Sequence, residues 1–207
     1  MTDHSTPPRR RAVQARSRAT VERILEAAAG LIAERGPDGV TMTEIAQRAG
    51  VVIGSLYQYF PDKAGLMAAL FERHSRDVRA MIVDAVGGVT SLDQLTERVD
   101  ALTAHYFTLH RSDPVFRGLW SAVQTDAALQ ALDVADSLNN ARLLFETAKP
   151  FFRRVNDDRL MATCALCMQL ALSAARFALA IPEPLGAVSA EIFSNMVRGA
   201  FLGLEEG

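Results

Sequence analysis

The chain has 207 residues, of which 49% are hydrophobic and 22% charged, with a net charge of −2. That length holds one large domain or two small ones, and the apolar content excludes a disordered chain. Two cysteines exclude a disulfide scaffold, and the overall charge excludes a broad polyanion-binding surface.

The charge is unevenly placed. Residues 1–63 hold nine basic and seven acidic side chains, and residues 64–207 hold thirteen and seventeen. Six of the nine positives, Arg9, Arg10, Arg11, Arg16, Arg18 and Arg23, precede residue 24. Residues 1–14, with Pro7-Pro8 and three arginines, read as a disordered basic arm. No apolar run marks a secretory signal there, so the chain is expected to be cytoplasmic. Val21, Ile24, Leu25, Ala28, Leu31 and Ile32 recur at helical spacing, which predicts a helix over 17–35, stopped by Gly36-Pro37-Asp38-Gly39.

Thr41 then carries a strong helix-start signal. Glu44 follows three residues later, so the Thr41 side chain can cap the Glu44 amide while the Glu44 carboxylate reaches back to the Thr41 amide. Val40 and Ile45 are spaced as a hydrophobic staple. Ile45, Ala46 and Ala49 give a short apolar face, and Gly50 stands where a left-handed residue would end the helix. The next stretch, Ile53 to Phe60, is too short to be stable alone. Leu56 and Phe60 are spaced to face inward. Gly54, Ser55, Tyr57, Gln58 and Tyr59 are left outward, a set suited to phosphate and base-edge contacts. Residues 15–62 thus read as a three-helix helix-turn-helix domain.

The segment from Thr41 to Lys63 resembles the TetR family of transcriptional regulators. The resemblance rests on IAQRAGV at Ile45 to Val51, GSLYQYF at Gly54 to Phe60 and KAGL at Lys63 to Leu66. It implies a DNA-binding role in which Thr41, Tyr57, Tyr59 and Lys63 hold phosphates and Ile53, Ser55 and Gln58 face bases. Gly54 would allow close backbone approach, and Thr43, Arg16 and Arg18 would complete the contact set. Two positions depart from the family pattern. Val52 stands where Ser or Thr is usual and cannot cap the second helix. Ile53 cannot donate a hydrogen bond, but it can touch a thymine methyl.

Residues 63–207 read as a second, all-helical domain. Asp62 is placed to cap a helix whose stripe runs from Leu66 to about Val86, ended by Gly87-Gly88. A second stripe, Leu92 to Leu109, stops near Asp113-Pro114. Val115 to Thr125 predicts a short helix, and Ala127 to about Arg154 a longer one with a break at Pro150. Leu160 to Ile181 is apolar nearly all round and long enough to cross a membrane. Gln169, Ser173 and Arg176 interrupt it, and no aromatic belt or charged flank accompanies it, so a helix buried on two faces is expected and no membrane partner. Val188 to Leu204 predicts a last helix whose apolar face is too wide for a solvated surface. No strand-period segment occurs, and the fold class is all-α.

Cys164 and Cys167 lie in an apolar helical run without the context of a redox or zinc motif, and read as buried apolar residues. His105 and His110 are five apart, not the spacing of a helical metal pair. No cofactor or metal is expected, and no acid–base set of an enzyme appears. The family resemblance implies that the second domain binds an effector and dimerises through its last two long helices. Candidate effector contacts are Tyr106, Phe107, Trp120, Gln124, Asn140, Phe145, Met168 and Arg176. Arg176 stands out because a buried charge needs a partner. Candidate dimer contacts are Met161, Leu172, Ile192, Phe193, Met196, Val197 and Phe201.

The expected whole is a homodimeric regulator, read first as a repressor, bound to a palindromic double-stranded DNA operator and released by a small, mainly apolar effector. A ligand-binding or interaction module with weakened DNA binding, or a helical-bundle enzyme, are the alternatives, and repressor against activator stays open.

Overall fold

The computed structural model describes residues 8–204. Among these, nine helices follow in order: α1 (Pro8–Arg35), α2 (Met42–Ala49), α3 (Ile53–Tyr59), α4 (Lys63–Val86), α5 (Leu92–Ser112), α6 (Pro114–Thr125), α7 (Ala127–Ala148), α8 (Asp157–Ala180) and α9 (Leu185–Leu202). No strand occurs among the described residues. The helix α1 starts at Pro8, well before Ser17, so the part of the expected arm that follows Pro7 is helical. Pro at the first helical position has no N–H to lose. Residues 1–7 of the expected disordered arm lie outside the described residues.

The chain forms two compact units. The first takes the chain up to Glu72 together with Val115–Ala122, and the second takes Arg73–Pro114 and Val123 onward. The boundary therefore falls inside α4, later than the division expected at residue 63, and most of α6 belongs to the first unit.

In the first unit, Ile24, Ala28, Leu31 and Ile32 of α1 are buried with Ile45 and Ala46 of α2, Leu56 of α3 and Leu66 and Leu70 of α4. Burial of a side chain such as Leu56 contributes about 2 kcal/mol, and α3 has only seven residues. That helix persists because Leu56 and Phe60 are buried, as their spacing predicts. Phe116, Leu119 and Trp120 of α6 join this core. A Cβ at Gly118 would overlap the Ile32 side chain, so glycine lets α6 lie against α1.

The second unit has its own core. Val78 and Ile82 of α4, Leu95 and Val99 of α5, Leu144 of α7, Leu160 and Cys164 of α8, and Phe193 and Phe201 of α9 form one cluster. Arg98 donates to the carbonyls of Ala85 and Gly87 at 3.1 and 2.7 Å, which satisfies orphan acceptors where α4 ends. Asn156 caps α8 by accepting from the amides of Asp158 and Arg159. Asp157 and Asp158 then fill the first turn, favourable at a helix N-terminus.

Candidate nucleic-acid interface and effector region

The first turn of α2 forms as the sequence predicts. Glu44 Oε2 accepts from the Thr41 N–H and hydroxyl, and Thr41 Oγ1 accepts from the Glu44 N–H. Val40 and Ile45, the staple pair, are both buried. Gly50 ends the helix at φ 65, in the left-handed region that a side chain would disfavour. Arg35 pairs with Glu44 at 2.8 Å and Arg48 with Glu34 at 2.6 Å. These contacts fix α2 beside the end of α1. Glu44 is held down at about pH 2 by the Arg35 guanidinium first and by the Thr41 hydroxyl and amide next.

The expected DNA contacts all lie in the first unit. Arg16, Arg18, Thr41, Thr43, Ile53, Gly54, Tyr57 and Gln58 are exposed, and Ser55, Tyr59 and Lys63 are half-buried. Tyr59 is thus less outward than its helical position implies. The hydroxyl of Thr41 is committed to Glu44, and its exposure alone does not free it for a phosphate. Val52 is 75% exposed and makes no side-chain cap. Gly54 has open space where a Cβ would be, so the fold itself does not require glycine there. Asp62 Oδ1 accepts from the Gly65 N–H at 2.7 Å, which caps α4 and places Lys63 at its first residue.

The expected effector contacts are not all brought together. Trp120 is buried in the first unit, stacked on Phe116 with centroids 6.3 Å apart. The other candidates belong to the second unit. Phe107 is buried against Phe193, with ring centroids 6.0 Å apart. Phe145 lies under Lys149 Nζ at 5.3 Å. Tyr106, Phe145 and Met168 are half-buried, while Gln124 and Arg176 are exposed. Arg176 is therefore not the buried charge that the apolar helix around it implied; its position on α8 faces water.

Asn140 is the one polar candidate that is buried, at 4% exposure. Its surroundings hold two carboxyls, Asp133 and Asp136, that the sequence reading did not assign to an effector. Asn140 Nδ2 donates to Asp136 Oδ2 at 3.0 Å, and Gln169 Nε2 of α8 donates to Asp133 Oδ2 of α7 at 2.9 Å. Burial raises both carboxyls above the ordinary aspartate range. The Tyr106 phenol is raised by burial first, and the carboxylates of Asp133 and Asp136 add to it. The Tyr106 ring lies 3.9 Å from the ring of His110, whose Nδ1 sits 2.7 Å from the Tyr106 carbonyl. A carbonyl only accepts, so Nδ1 carries the proton. His110 is pushed down to about 3 by burial, and His74, 6.4 Å away, to about 4 by burial. Residues 133, 136 and 140 fall on one face of α7, and that spacing was the available signal.

The expected dimer contacts also divide. Leu172, Phe193, Val197 and Phe201 are buried within the single chain, Phe201 completely. They belong to the chain's own core. Met161 is half-buried, and Ile192 and Met196 are exposed. The helix α8 buries one face within the chain, through Leu160, Cys164, Leu172, Ala175 and Ala178. Leu166, Leu170 and Phe177 are exposed on it, as are Leu185, Val188, Ile192, Met196 and Leu202 on α9, and the two helices pack on each other. By length and composition α8 is apolar enough to cross a membrane.

Comparison with known proteins gives two family matches. Residues 24–70 match bacterial regulatory proteins of the TetR family, and residues 93–184 match the tetracyclin repressor-like C-terminal domain. An HTH-type transcriptional regulator of Mycobacterium tuberculosis is 45% identical over 56 residues, 27% of this chain and 30% of that one. The HTH-type transcriptional repressor KstR of the same species is 37% identical over 82 residues, 39% of this chain and 37% of that one. The chain thus spans well under half the length of these curated relatives. The crystal structure of RolR in complex with resorcinol is similar over 94% of this chain and 97% of that one, at TM-score 0.66 and 22% identity, which shows the shared fold. The relatives are transcriptional regulators and not enzymes. With family matches over both the helix-turn-helix and the helical region that follows it, the chain belongs to the TetR family of bacterial transcriptional regulators.

Proposed function

We propose that the protein is a cytoplasmic homodimeric repressor that binds a palindromic DNA operator and releases it when a small, mainly apolar effector occupies the second unit. The observation that carries this reading is the outer side of α3. Ile53, Tyr57 and Gln58 are exposed there on a helix whose own burial rests on Leu56 and Phe60. Open space at Gly54 suits close approach of a duplex. Tyrosine and lysine hydrogen-bond donors serve phosphates, while glutamine and isoleucine serve base edges and thymine methyls.

The exposed apolar stripes of α8 and α9 support a dimer. Two helices from each chain would form a four-helix bundle, and the twofold axis would make the operator palindromic. A dimer explains these stripes better than a membrane does, since the opposite face of each helix is packed in the protein core. For the effector, the support is the set of partly and fully buried polar groups around Asn140, together with the solved complex of RolR with resorcinol. Helices α4 and α6 each contribute residues to both units. An effector that shifts either helix would change the separation of the two α3 helices, and affinity falls when that separation no longer fits successive major grooves. A nuclease footprint on the DNA upstream of the protein's own gene tests the reading. It should show a protected palindrome; protection spread evenly along the duplex would refute it.

A further inference from the structure

The side chains around Asn140 define more than the location of an effector. Gln169 donates to Asp133 and Asn140 to Asp136, both on α7, and the Ser75 hydroxyl of α4 also acts on Asp136. The remaining amide oxygen, Asn140 Oδ1, is buried and accepts from nothing. A buried amide acceptor without a donor costs free energy. The carboxylate beside Nδ2 fixes which end of the amide is which, because a carboxylate only accepts.

The balance of charge points the same way. Asp133 is buried and Asp136 is half-buried. The basic side chain that acts on Asp136 is Arg79 of α4, which is exposed. His110 and His74 are kept neutral by burial and supply no positive charge. The cluster therefore has negative charge in excess of positive charge. A buried carboxylate is stabilised by a partner that brings both a proton donor and a charge. The rings of Tyr106 and His110 provide apolar and π surface next to it.

We propose that the effector of this protein carries a protonated nitrogen, an ammonium or amidinium on a mainly apolar body, held by Asp133, Asp136 and the free Asn140 Oδ1. This rests on the reading that the second unit binds an effector. It adds the chemical class of the ligand and names residues that bind it.

The test uses the full-length protein and matched probes: naphthylethylamine, naphthylethanol and naphthylacetate, with their phenyl counterparts. Affinity is measured by calorimetry and melting temperature without DNA, and operator binding is measured separately on the same preparation. The amines should bind about tenfold or more tightly than the alcohols, the size of one charge-assisted hydrogen bond, and the carboxylates more weakly still. Asp133→Asn and Asp136→Asn, which keep the shape of the site, should remove that preference. Alcohols binding as tightly as amines in the wild type would overturn the ligand class, a result that needs no variant to fold. An amine preference retained in both variants would overturn the assigned residues, and binding by no member of the series would overturn the site. Operator release by a neutral compound, indifferent to both substitutions, would leave the effector reading standing and this proposal refuted.

Discussion

Glu44 Oε2 lies 2.7 Å from Thr41 Oγ1 and 2.9 Å from Thr41 N, so one carboxylate oxygen closes the start of α2 from two directions. Arg35 holds the other oxygen at 2.8 Å and ties that turn to the end of α1. Because α3 is too short to hold itself, the position of its outer side chains depends on this anchor. Thr41→Ala removes an N-cap side chain, and such losses cost about 1 kcal/mol. The expected outcome is a melting temperature lower by several degrees with the helical spectrum intact. An unchanged melting temperature would show that the cap contributes nothing.

The same carboxylate gives a pH dependence. Glu44 sits at about 2 against an ordinary 4.5, chiefly through Arg35 and then Thr41. A depressed carboxylate contributes stability that is present above its unfolded value and lost as pH falls through the folded one. The contribution should be whole above pH 4.5 and fade between 4.5 and about 2. Denaturant midpoints of Glu44→Gln should converge on those of the wild type as the solution is acidified through this window. A constant gap at every pH would contradict the assignment.

His110 acts in a different window. Burial lowers it from 6.5 to about 3, so as pH falls the unfolded chain takes up the proton first. Its effect is absent above pH 6.5, costs stability progressively below it, and levels only beneath the folded value. His74 behaves the same way between 6.5 and about 4. His110→Gln should flatten the loss of stability between neutral pH and pH 4.5, above the window in which Glu44 titrates. An equally steep loss in the variant would show that other groups cause it.

Much of the first unit was legible in the sequence because its signals are local. The capping pair Thr41–Glu44, the left-handed Gly50 and the Leu56–Phe60 spacing each depend on residues within one or two turns. The second unit was legible as helices but less so as surfaces. Periodicity gives a face, and it does not say which neighbour covers that face. Phe201 and Met196 both lie on the apolar side of α9, yet Phe201 is in the chain's own core and Met196 is exposed. Arg176 sits in an apolar run and still faces water. Trp120 falls in the first unit, where Gly118 of the same helix lies against Ile32 of α1, an approach remote in sequence.

That distinction on α9 can be tested with two substitutions. Met196→Glu places a charge on an exposed residue of the proposed dimer face and should give folded monomers by sedimentation. Phe201→Ala opens a cavity in the core, and changes of this type cost about 3–5 kcal/mol. It should lower the melting temperature steeply while leaving the surviving folded protein dimeric. Dimers that persist in Met196→Glu would move the interface elsewhere.

The central claim is that α3 reads DNA, and fluorescence anisotropy with a duplex taken from upstream of the gene tests it most directly. Wild-type protein and the variants Tyr57→Ala and Gln58→Ala are titrated at rising salt against that duplex and a scrambled one. The account predicts a strong preference for the upstream duplex and a steep loss of affinity with salt, as counterion release requires. Tyr57→Ala should weaken binding to both duplexes, and Gln58→Ala should narrow the difference between them. Equal, salt-insensitive binding of both duplexes, untouched by either substitution, would contradict it.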